Sequence, residues 1–130
     1  MKKIIAAMML MATAFAVRAE ADIMFEQTDH DFGTIAEQGG PVSFEFEFMN
    51  TGDLPLMVLN ASASCGCTRP DYPKKPIMPG RKEKIKVTYL PAGRPGEFDK
   101  TITVKTNATG KNKKSTLRIR GFVNPEVQPQ

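Results

Sequence analysis

From residue 42 to 48 the chain alternates without a break. Val42, Phe44, Phe46 and Phe48 fall on one side, and Ser43, Glu45 and Glu47 on the other. A period of two with aromatic residues on one face predicts a half-buried strand of an antiparallel sheet. The same period returns at 84–89, with Ile85, Val87 and Tyr89 inward, at 98–106, with Phe98, Ile102 and Val104 inward, and at 117–120. Weaker strands are expected at 23–27, 32–35 and 56–60. No stretch keeps a 3.6-residue period over the length of a helix, so the chain reads as all-β.

Turn residues divide these strands at short intervals: Gly39-Gly40-Pro41, Asn50-Thr51-Gly52-Asp53, Pro79-Gly80, Pro95-Gly96 and 107–110. Proline presets the first torsion of a turn and glycine accepts a positive φ at the second, which is why Pro-Gly pairs sit there. About seven short strands with regular turns predict an immunoglobulin-like antiparallel β-sandwich. The antibody form is excluded, because it needs a tryptophan and two distant cysteines, and the 130-residue chain has no Trp and two Cys only two positions apart. Phe, Ile, Val and Leu must fill the core instead.

Upstream of the first strand the pattern is different. Lys2 and Lys3 precede an apolar run over 4–17, followed by the small-residue sites Val17-Arg18-Ala19 and Ala19-Glu20-Ala21. A basic start, an apolar centre and a small-residue box are the layout of a secretory signal peptide. The run is shorter than the roughly twenty residues that span a bilayer. The expected organisation is therefore a signal peptide at 1–21, cut after Ala19 or Ala21, a sandwich at 22–124 and a loose, Pro- and Gln-rich tail at 125–130. No transmembrane segment is expected once the leader is removed, and the expected location is the periplasm or the exterior of a bacterial cell.

Removing Lys2, Lys3, Arg18 and Glu20 lowers the formal charge from +4 to +2, so part of the basic character belongs to the leader. What remains is polarised. Eight acidic residues and no Lys or Arg lie between Asp22 and Ser64, whereas every remaining Lys and Arg lies between Arg69 and Arg120. One reading pairs the halves: strands 42–48 and 84–89 become neighbours, setting Glu45 and Glu47 beside Lys84 and Lys86, with mild stabilisation across strands. The other is a basic stripe of Lys82, Lys84, Lys86, Arg118, Arg120 and the 111–114 loop that binds a polyanionic glycan or an acidic protein. Nucleic acid is not an expected partner, since no aromatic platform accompanies the charge.

Ser64-Cys65-Gly66-Cys67-Thr68 is the segment that packing alone explains least. In an oxidising compartment paired thiols form disulfides. Extended residues two apart have Cα atoms roughly 6.6 Å apart, close to the upper limit of about 6.8 Å for a disulfide. Gly66 is positioned to supply a bend. So short a bridge constrains almost no chain in the unfolded state and adds little stability. Three roles for Cys65 and Cys67 stand side by side: a local disulfide or buried thiol pair that shapes the loop, a labile dithiol that exchanges with a redox partner, and a soft-metal site for Cu(I) or Zn(II). The third needs more ligands than two, and His30, Met24, Met49, Met57 or Met78 would have to fold into range.

Other chemistry is thin. His30, the single histidine, sits between Asp29 and Asp31 and reads as a surface residue. No nucleophile-base motif, phosphate-cradling glycine loop or dinucleotide fingerprint is present, and Glu45 and Glu47 share a solvent face where burial cannot tune them for acid-base work. No enzyme activity, catalytic residue, metal or cofactor is expected.

Several blocks together resemble a known family: Asp31-Phe32-Gly33-Thr34-Ile35, Asn50-Thr51-Gly52-Asp53-Leu54-Pro55-Leu56, Ser64-Cys65-Gly66-Cys67-Thr68, Pro76-Ile77-Met78-Pro79-Gly80, Gly96-Glu97-Phe98 with Thr106-Asn107, and Arg120-Gly121-Phe122-Val123. They resemble the domain of unknown function 1573, common in secreted proteins of Bacteroidetes. That family is similar in turn to the Hydin and major sperm protein class of immunoglobulin-like domains, which bind other proteins. The resemblance implies the sandwich and secretion, assigns no catalytic residue, and maps the family's cysteine pair to Cys65 and Cys67 with its role open. The expected function is a non-catalytic interaction module whose partner is another envelope or secreted protein. The alternative is a thiol-redox or Cu(I)-binding protein.

Overall fold

The computed structural model describes residues 19–125. Residues 1–18 of the expected leader (1–21) and 126–130 of the expected tail (125–130) lie outside the described residues.

The strands are β1 (Ile23–Phe25), β2 (Asp29–Ala36), β3 (Val42–Asn50), β4 (Val58–Ala63), β5 (Thr68–Asp71), β6 (Lys82–Tyr89), β7 (Gly96–Thr106) and β8 (Lys114–Asn124). They form two four-stranded sheets, in the orders β1-β3-β6-β5 and β2-β8-β7-β4. Apart from β2 at one edge, this is the strand order of a constant-type immunoglobulin sandwich. Among the described residues there is no α-helix, and the loop before β8 holds a single 3₁₀ turn at Gly110–Lys113.

The inward positions of the alternating strands form the core. Phe46, Ile85 and Val87 from one sheet and Ile102, Val104, Leu117 and Ile119 from the other are fully buried. The layers are also joined by aromatic stacking, with the Tyr89 and Phe98 rings 3.9 Å apart and nearly parallel. Register explains the charges: Glu45 faces Lys86 and Glu47 faces Lys84 across β3 and β6, and Lys84 Nζ lies 3.1 Å from Glu45.

Four features differ from the sequence expectation. The first is that β2 runs parallel to β8, pairing Asp29 with Arg118 and Ala36 with Asn124. The chain leaves one sheet after Phe25 and joins the other at Asp29 without reversing, and side-chain alternation carries no information about that switch. The second is β5, hidden by Pro70 in a strand of four residues. The third is that Leu56 makes only an isolated bridge to Ile77, and β4 runs on to Ala63 through small residues of low strand propensity. The fourth is that His30 is half-buried and packed on aromatic rings rather than freely solvated. Its ring stacks on Phe44 at 3.7 Å and meets Phe32 edge-on at 4.6 Å, closing the side of the sandwich where β2 crosses.

The segment before β1 is built into the domain. Ala21 is buried in the core, and the Glu20 carbonyl accepts the amides of Asp53 and Leu54. Gly52 permits this close passage, since a Cβ there would sit 2.2 Å from the Glu20 oxygen.

Candidate functional site

The cysteine corner lies where the chain crosses from β4, at the edge of one sheet, to β5, at the edge of the other. Cys65 and Cys67 are joined by a disulfide with Cα atoms 5.2 Å apart, closer than an extended pair because the Thr68 amide turns back to the Cys65 carbonyl at 3.2 Å. Gly66 is not needed for this bend. It has no positive φ, and a Cβ there would meet nothing within 4 Å. The Cys67 carbonyl accepts the Leu90 amide at 2.8 Å, anchoring the corner to the end of β6.

The two sulfurs have unequal surroundings. Cys67 is 1% exposed and belongs to the hydrophobic core, whereas Cys65 is half-buried and packs on the margin of that core. The Cys67 amide points at Cys65 Sγ, 3.1 Å away. Cys67 Sγ lies 3.6 Å from the Thr68 hydroxyl.

The other soft ligands do not gather here. Met24 pairs with Met49, and Met49 with Lys82 at the start of β6, whereas the cysteine corner joins the far end of that strand, roughly 25 Å away at strand rise. Met78 turns onto Arg81 beside that same start. Met57 precedes β4, at the end remote from Cys65. His30 lies on β2, across the sheet from β4. Among the described residues, no three His, Cys, Asp or Glu side chains converge to hold a metal ion.

The basic stripe is divided by the fold. Lys82, Lys84 and Lys86 lie on β6 of one sheet, and Arg118 and Arg120 on β8 of the other, so their solvent faces look in opposite directions. Arg118 grips both carboxylate oxygens of Asp99, and Arg120 reaches Asp29 at 3.2 Å. The Arg118 bond holds the Asp99 carboxyl below its usual range. On the opposite face, a shallow groove of about 210 Å³ beside β1 is lined by Met24, Glu26, Glu47, Phe48, Met49 and Lys82. There a hydrogen bond that the protonated Glu26 carboxyl donates to Glu47, together with the like charge of Glu47, raises the Glu26 carboxyl above the ordinary range.

A second feature, invisible in the sequence pattern, is the outer edge of β4. Exposed sheet edges are normally blunted by shortness, charge, proline or bulges. Three of the four edges follow this rule. β1 has three residues, β5 carries Arg69, Pro70 and Asp71, and β2 carries two aspartates and a register break between Asp31 and Thr34 where Gly33 takes φ 68°. β4, Val-Leu-Asn-Ala-Ser-Ala, has neither charge nor proline. Its one irregularity is a register shift between Val58 and Asn60. Among the described residues, its only main-chain hydrogen bonds run to β7, and Leu59 stands 58% exposed on it.

Two stacked sheets of this order, with β2 parallel to β8 at one edge, form an immunoglobulin-like sandwich that is similar in fold to PapD-like and major sperm protein domains. Residues 23–123 match the model of the family described as "Protein of unknown function (DUF1573)", and the chain belongs to that family. Among solved structures, a Porphyromonas gingivalis W83 protein of unknown function superposes with TM-score 0.70 at 15% identity, covering 83% of this chain and 50% of that one. This chain thus spans half the length of that protein. The seventh PapD-like domain of human CEP192 superposes with TM-score 0.65 at 16% identity, covering 83% and 89%. The Caenorhabditis elegans major sperm protein relative WR4 gives 0.54 at 10% identity, covering 79% and 98%. No curated protein matches the chain.

Proposed function

We propose that this chain is a secreted or periplasmic, non-catalytic interaction module that receives an extended segment of another envelope or secreted protein along β4. The observation that carries the reading is the outer edge of β4, whose one guard is the register shift between Val58 and Asn60. The main-chain groups of this six-residue strand that are not bonded to β7 face outward over about 20 Å, without the charge or proline that normally repels a visiting strand. Main-chain bonding would supply affinity, and the exposed Leu59 would supply an apolar contact that selects among segments. The leader-like sequence at 1–21 supports the compartment, and the similarity to domains of the PapD-like class supports a protein partner.

The test uses a photo-cross-linking residue at Leu59 in the intact envelope, with the same residue at Lys84 on the other sheet as control, followed by hydrogen exchange on the purified complex. The expected result is capture from position 59 only, with slowed exchange at the Val58–Ala63 amides. Leu59→Lys should abolish capture while leaving stability within about 0.5 kcal/mol. Capture from both positions, or a bound complex in which the β4 amides exchange as fast as in the free protein, overturns the reading.

A further inference from the structure

We propose that the Cys65–Cys67 disulfide is a thiol-disulfide exchange site, attacked at Cys65 by a protein or small-molecule dithiol. This role is independent of partner binding along β4.

Access decides which sulfur reacts. Exchange needs a thiolate to reach a disulfide sulfur. Cys67 is closed off in the core, whereas Cys65 is half-buried at its margin, next to Gly66, which is exposed and has open space around its Cβ position. In the first step the incoming thiolate bonds to Cys65 Sγ, the Cys65–Cys67 bond breaks, and the electron pair leaves on Cys67 Sγ. The Thr68 hydroxyl stands ready to hydrogen-bond that sulfur, and water supplies the proton. In the second step the partner's other thiolate attacks its own mixed-disulfide sulfur and releases Cys65 as thiolate, the atom at which the Cys67 amide already points. The partner dithiol ends oxidised to a disulfide and the cysteine pair reduced to two thiols. An oxidised partner drives the same steps backwards.

The corner tolerates this cycle because its shape does not depend on the sulfur bond. The Thr68-to-Cys65 turn and the Leu90-to-Cys67 anchor are both main-chain bonds. A bridge spanning one intervening residue also restricts the unfolded chain very little.

The experiment compares two single-cysteine variants of the chain that retains residues 20–130, reacted with an aromatic disulfide reagent without denaturant. Cys67→Ser, which leaves Cys65, should react at least about tenfold faster than Cys65→Ser, which leaves the buried Cys67. The aromatic mixed disulfide formed on Cys65 of Cys67→Ser should then pass to a single-cysteine thioredoxin-type protein, whose thiolate bonds to Cys65 Sγ, displaces the aromatic thiolate and leaves a stable protein-protein mixed disulfide. In parallel, dithiothreitol should reduce the unmodified protein at a rate that low urea does not change, with the far-ultraviolet spectrum intact, a readout that does not depend on either variant folding. Equal reactivity of the two variants, or reduction whose rate tracks unfolding in urea, overturns the proposal.

Discussion

The side-chain amide of Asn50 donates to the carbonyl of Ile77 at 2.9 Å, across 27 positions of sequence. The same amide group reaches the Leu54 carbonyl at 2.8 Å, and its oxygen accepts the Gly52 amide at 2.9 Å. Asn50 is completely buried, as is its bond to Ile77, so that bond has no water to fall back on. Asn50→Ala should cost about 2 to 4 kcal/mol. Asn50→Asp should cost at least as much, because a carboxylate would face two carbonyl oxygens with no hydrogen to give. Urea denaturation of the two variants measures both.

The Tyr89–Phe98 stack joins the two sheets, and Phe98 is buried against Gly121, whose missing side chain makes room for the ring. Phe98→Ala should destabilise the domain by about 3 to 5 kcal/mol. Gly121→Ala should also destabilise, since the added carbon would lie 2.8 Å from both the ring and the Gly33 carbonyl. Thermal unfolding followed by circular dichroism measures each loss, and a shift within error for Phe98→Ala would contradict the packing.

The amino-terminal segment gives a third expectation. A chain that begins at Asp22 lacks the buried Ala21 side chain and the two bonds to the Glu20 carbonyl. It should be less stable than a chain beginning at Glu20 by about 1 to 3 kcal/mol. Of the two leader cuts, only the one after Ala19 preserves these contacts. If the leader is removed as proposed, the stable product should begin at Glu20, and amino-terminal sequencing that reads Asp22 first would contradict this.

Two exposed carboxyls should give opposite pH responses. The Glu26 carboxyl is raised by its hydrogen bond to Glu47 and by that residue's charge. The folded state therefore holds its proton more tightly than the unfolded chain, and this contribution is full in acid and lost as pH rises through the raised value. Asp99 is lowered by Arg118, so its contribution is present above the unfolded value and lost as pH falls. Glu26→Gln should stabilise slightly at neutral pH and converge with the parent in acid. Asp99→Asn should destabilise slightly at neutral pH and likewise converge in acid. Stability curves for both variants from pH 3 to 8 test the signs.

The sequence was most informative where one face of a strand is buried and the other wet. The alternation at 42–48 and 84–89 marked two strands, and the sandwich topology made them neighbours, which set Glu45 and Glu47 beside Lys84 and Lys86. It failed where a residue's neighbour is set by the path of the chain. Asp29-His30-Asp31 reads as solvated, yet the crossing of β2 beside β3 turns His30 onto Phe44. The β4 edge was equally hidden, since Ala61-Ser62-Ala63 has neither the branching nor the alternation that marks a strand, and the absence of guarding residues matters only once the strand is known to be outermost. The cysteine pair stood out by composition, but the difference in access between its two sulfurs depends on how β4 and β5 meet.

The parallel ladder between β2 and β8 ties Asp29 to Arg118 and Ala36 to Asn124. An early stretch of the polypeptide therefore waits for one of the last before its layer can close. Pairings so distant along the chain make for slow, late assembly, so the polypeptide stays threadable until nearly all of it has emerged. That delay is what the export proposed above would require of a polypeptide that travels as a string before it becomes a solid.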